Sequence, residues 1–144
     1  MVAATFVVHL AKMALEGPKL ILYLAVHKDD VDCIKKNSKV PTRFTSPKKP
    51  HIGLREKIPD ALARYRLAFG STTSNEFLVV MRVVFTPLGI AHFTTDNCGV
   101  EHHFQSRLSK KIWEDCGDYG VWHFIGDLPL ADDSMMKIEW LPVE

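Results

Sequence analysis

The stretch Phe77 to Phe85, reading FLVVMRVVF, constrains this chain more than any other. It is rich in β-branched residues and apolar at both odd and even positions, with Arg82 as its one charge. That is the pattern of a strand covered on both faces. A second short apolar run, Leu20 to Val26, follows the stop signal Gly17-Pro18 and precedes Asp29-Asp30. Its length and its bounding residues predict a buried strand.

Two helices are expected between these strands. Asp29 and Asp30 suit a helix start, Val31, Cys33 and Ile34 an apolar stripe, Lys35 and Lys36 its last turn, and Asn37 its C-cap. Ile58 to Phe69 reads as a second helix with Pro59 in its first turn and a stripe of Ile58, Leu62, Tyr65 and Phe69. The proline-bearing segment Ser38 to Gly53 between them reads as a polar loop.

Later in the chain Gly70 to Asn75 and Thr86 to Gly89 read as turns, Gln105 to Glu114 as a possible third helix, and Val121 to Ile125 and Met136 to Leu141 as strands. The late strands lack crossover helices. The order therefore predicts an α+β domain with a mainly antiparallel sheet and two or three flanking helices. Residues 1–19 are expected to be an apolar helix or strand packed on a single domain spanning 20–144. The run Val2 to Leu15 contains His9 and Lys12, lacks a basic start, and is too short to span a bilayer.

Composition narrows the function. The 144 residues are 47% hydrophobic and 24% charged, enough for a core without a stabilising metal or disulfide. Lysine and arginine total 18 against 17 acids, a balance that argues against nonspecific nucleic-acid binding. Cys33, Cys98 and Cys116 form no CxxC pair, which fits a reducing compartment, cytoplasmic or nuclear.

No high-specificity catalytic motif is present. His92, Cys98, His102 and His103 are the most metal-like group, yet their spacing matches no zinc pattern, so no metal is expected. Cys98 and Cys116 stand in no nucleophile motif. The pairs Asp29/Asp30 and Asp132/Asp133 read as a helix cap and a solvated turn. The basic segment Arg43 to Arg55, with Lys48, Lys49 and His51, carries enough donors to hold a diphosphate.

Three further segments resemble a known family. Leu22 to His27 looks like an early strand ending near a polar residue, Asp60 to Tyr65 like a helix rich in alanine and tyrosine, and Phe77 to Val83 like the strand after it. With Trp122 to Leu130 and Ile138 to Trp140 at the end, the chain from Leu20 to Leu141 is similar in pattern to small ADP-ribosyltransferase-like domains.

The resemblance implies NAD as ligand. It places His27 at the ribose, Arg43 and Arg55 near the diphosphate, and Tyr65 or Trp122 stacked on a base. The family's glutamate at the start of the strand holding Trp122 is missing, and Glu139 is the candidate to replace it. The implied function is thus an NAD-binding transferase or a degenerate member that binds without turnover.

Two alternatives remain beside it. Apolar residues at both ends, Phe6 to Val8 and Trp140, Leu141 and Val143, suit a protein-interaction module or a homo-oligomer. The His92 to His103 segment would serve a small metal-dependent hydrolase.

Overall fold

The computed structural model describes residues 19–45, 51–70, 72–94, 103–104, 121–130 and 133–144. Residues 1–18, with the expected N-terminal helix or strand, lie outside them, as does the expected helix Gln105 to Glu114.

Strand β1 (Leu20–His27) alternates as the pleat requires. Leu22, Leu24 and Val26 are buried on one face, while Ile21 on the other is 37% exposed. Strand β4 (Leu78–Phe85) pairs with it antiparallel along its whole length, from Leu20 opposite Phe85 to His27 opposite Leu78. On the other side β1 meets β3 (His51–Arg55), which pairs with β6 (Val121–Ile125), itself flanked by β5 (His103–Phe104). Strand β8 (Met136–Pro142) pairs with the outer side of β4. The six-stranded order is β5-β6-β3-β1-β4-β8, every pairing antiparallel. A separate ribbon joins β2 (Lys39–Val40) to β7 (Leu128–Pro129). The α+β class with a mainly antiparallel sheet follows from this architecture.

Residues directly opposite in antiparallel strands share a face, so the register sorts the side chains. The first face carries the main core, with Leu22, Leu24, Val26, Ile52, Leu54, Met81, Val83, Phe85, Phe124 and Met136. It is closed by Ile34 of α1 (Val31–Asn37), Phe93 of α3 (Pro87–Thr94), and Val40 and Leu128 of the ribbon. Burial of one such side chain contributes about 1.5–3 kcal/mol. The second face buries fewer and smaller strand side chains, Ala25, Leu78 and Val80, with Ala61 and Tyr65 of α2 (Ile58–Phe69) packed on Ala25 and Leu78, so the first face organises the fold.

Several expectations are corrected. The segment read as a polar loop holds β2, a 3-10 turn at Thr42–Phe44 and β3, because Ile52 and Leu54 alternate into the core. Thr86 to Gly89 is the start of helix α3. The Gly89 N–H donates to Thr86 Oγ1 at 3.1 Å and the Ile90 N–H to Thr86 O at 2.8 Å, with proline in the first turn. The buried stripe of α2 is Ala61 and Tyr65, while Ile58 and Phe69 are 37% and 39% exposed. Alanines at Ala25 and Ala61 let this helix lie close to the sheet. The residue that ends α1 is Ser38, in the left-handed region at φ 52°. Asn37 remains helical and donates from Nδ2 to the Cys33 carbonyl at 3.0 Å.

Candidate functional site

The second face of the sheet gathers a polar row that crosses four strands. Glu139 of β8 stands opposite Arg82 of β4, Arg82 opposite Tyr23 of β1, and Tyr23 opposite Arg55 of β3. Arg82 Nη1 donates to Glu139 Oε1 at 3.2 Å, with the two side chains 28% and 59% exposed. Neighbouring strands are ~4.8 Å apart, which sets the Arg82 and Arg55 backbones ~10 Å from each other with the phenol between them. Lys137, opposite Val84, adds a third cation to the same face. The row plus Lys137 carries three basic groups against one carboxylate, a surface suited to an anion.

His27 lies on this face too, at the far end of β1 opposite Leu78. Its Nδ1 accepts the Asp29 N–H at 3.1 Å and so caps the 3-10 turn Lys28–Asp30, and its ring stacks on Phe77 at 5.9 Å. Four residues along the strand and two strands across separate it from Glu139, ~16 Å in all. The two candidate catalytic residues therefore share a face but do not meet.

The other candidates divide between the two sides. Arg43 stacks over Phe44 at 4.7 Å, and Phe44 packs on the main core, so Arg43 is on the first side and Arg55 on the second. Trp122 also packs on the main core, with Nε1 donating to Glu56 at 3.2 Å. Tyr65 is buried beneath α2 on the second side and stacks on Phe69 at 4.6 Å. The pairing of Arg43 with Arg55, drawn from their closeness in sequence, is replaced by Arg82 with Arg55. Arg82 was marked in the sequence as the lone charge of an apolar strand, whereas nothing local pointed to Tyr23.

Burial pushes the Tyr65 phenol above its ordinary value, and the Asp30 carboxylate adds to the effect. The folded state therefore holds this proton to higher pH than the unfolded chain does. The associated stability is intact below the usual phenol range near ~10 and is lost as pH rises through the folded value. Tyr65→Phe should accordingly lose less stability than the parent between about pH 9.5 and 11, measured by denaturant midpoints. Parallel losses in both proteins would contradict this.

Among the described residues no group of three or more histidines, cysteines or acids is placed to hold a metal. His92 lies exposed on α3, and Cys98 and His102 fall outside the described residues. Among the described residues no helix is long and apolar enough to cross a membrane. In comparisons with known proteins no family model matches this chain, and neither a curated protein nor a solved structure does.

Proposed function

We propose that this domain is an ADP-ribosyltransferase-like module that binds NAD or a related nucleotide and does not turn it over. One observation carries the reading, the placement of Arg55 and Arg82 two strands apart on one sheet face with Tyr23 between them. Guanidinium arms rooted ~10 Å apart can converge on a diphosphate, giving it charge-assisted, bidentate hydrogen bonds. Tyr23 supplies a hydroxyl and a ring edge beside the same anion. Lys137 adds longer-range attraction that salt would screen.

The lack of turnover rests on the separation of His27 from Glu139. Transfer from NAD develops positive charge at the ribose, and a carboxylate has to stand beside it to lower the barrier. Glu139 is instead engaged with Arg82, and His27 is engaged with the Asp29 N–H.

The location is tested by calorimetric titration of three variants. Arg82→Ala and Arg55→Ala should each weaken NAD binding by about tenfold, the scale of one charge-assisted contact. Arg43→Ala, on the other side of the sheet, should leave it unchanged. Loss of binding in Arg43→Ala alone would move the site to the other side.

A further inference from the structure

Strand β8 closes one side of the sheet with seven residues, Met136–Pro142, and is paired only along its β4 side among the described strands. The opposite edge, β5, is two residues long. An open edge of that length is a template for another strand, because its outward N–H and C=O groups have no ladder to join. Lysine on an edge ordinarily discourages such pairing. Here, however, the lysine is followed two residues later by a glutamate on the same face, Lys137 opposite Val84 and Glu139 opposite Arg82.

We propose that a second copy of this chain pairs with β8, antiparallel about a two-fold axis at Ile138, and continues the sheet into a dimer. A two-fold axis normal to the sheet keeps each face on its own side, so only residues of like parity stand opposite one another. The charges then select one register. With the axis at Ile138, Lys137 faces Glu139 of the second copy, twice over, and Met136 faces its Trp140 on the core side. With the axis at Glu139, two carboxylates collide. With the axis at Lys137, two ammonium groups do. With the axis at Trp140, Pro142 enters the ladder opposite Ile138, where it has no N–H to give.

Local environment agrees with this choice. Lys137 is exposed, faces an apolar cross-strand neighbour, and has no ion-pair partner among the described residues. In the dimer it extends the Arg82–Glu139 pair into a three-membered network of alternating charge across the seam. Trp140 packs on the main core of the protomer but stays half-buried, which leaves part of its ring to meet the second copy, whereas Met136 is already buried within the protomer. The dimer does not depend on nucleotide binding.

The test is the mass in solution by light scattering after size exclusion, read with the circular dichroism spectrum as a check of folding. The parent protein should show two chains. Lys137→Glu and Glu139→Lys alone should each associate at least about tenfold more weakly, because each sets like charges opposite one another twice. Mixed in equal amounts, they should form a two-chain species, since every facing pair is then complementary. A parent protein that stays at the mass of one chain overturns the proposal. So does a Lys137→Glu variant that remains folded and dimeric, or a mixture of folded variants that stays at one chain.

Discussion

Gly89→Ala should lower the melting temperature by about 10 °C, although it adds a single methyl group to a helix. A Cβ built at Gly89 would lie 2.0 Å from the Met135 carbonyl oxygen and 2.8 Å from its carbon, both main-chain atoms. No rotamer change relieves a contact of that kind, so α3 or the 133–135 turn has to move. Both are held by Thr86. Its N–H donates to the Met135 carbonyl at 3.0 Å and its hydroxyl to the Ser134 carbonyl at 2.5 Å, while the same hydroxyl oxygen receives the Gly89 N–H. Displacement breaks buried hydrogen bonds as well as packing, for a total of about 3 kcal/mol. Gly70 offers a contrast. Its φ is 146° but an added Cβ meets only Thr73 Oγ1, at 3.6 Å, so Gly70→Ala is penalised by backbone conformation without a collision. Thermal melts of the two variants check the ranking, and a Gly89→Ala protein as stable as the parent would contradict the close approach of α3.

Phe93→Ala should be the most damaging single truncation, with a loss of about 3–5 kcal/mol in denaturant unfolding. Phe93 is 2% exposed and is the side chain α3 buries in the main core, with Ile90 packed beside it. Its ring meets the edges of Phe85 at 6.1 Å and Phe124 at 5.6 Å, nearly perpendicular to both. Phe85 and Phe124 belong to β4 and β6, so this one side chain joins strands that β1 and β3 keep apart in the sheet. Perpendicular aromatic pairs contribute beyond their buried area, and truncation to alanine removes both of them and leaves a cavity in a close-packed core. Leu67→Ala on α2 is the control. Leu67 is 81% exposed, and its removal should change stability by no more than about 0.5 kcal/mol. Equal losses at the two positions would refute the assignment of the core to the first face.

The parts of the fold that could be read from the sequence are those whose signal is local. Phe77 to Phe85 and Leu20 to Val26 are legible as strands because their apolar residues and boundaries lie within a few positions. His51–Arg55 was misread because its histidine, glycine and arginine, and the prolines before it, look like a loop. Only its pairing with β1 and β6 gives Ile52 and Leu54 a core to enter. Thr86-Pro87-Leu88-Gly89 was ambiguous for another reason. Threonine before proline marks a helix start and also suits a turn, and contact with Met135 decides between them. The polar row depends on register across β3, β1, β4 and β8, so Tyr23 carried no signal of its own. Arg82 did, because a charge in an otherwise apolar strand needs a partner or an opening on its face. The apolar C-terminal residues also found a use within the domain, with Trp140 on the main core and Val143 on the second cluster.

The measurement that bears most directly on the proposed function is a calorimetric titration of the protein with NAD, with released nicotinamide assayed in the same sample. Saturable binding without release is the result the polar row and the distance between His27 and Glu139 predict. No binding at millimolar NAD would remove the nucleotide reading altogether and leave the β8 edge as the surface of interest. Binding with stoichiometric or catalytic release would mean that a carboxylate does reach the ribose, and would contradict the separation on which the non-catalytic reading rests.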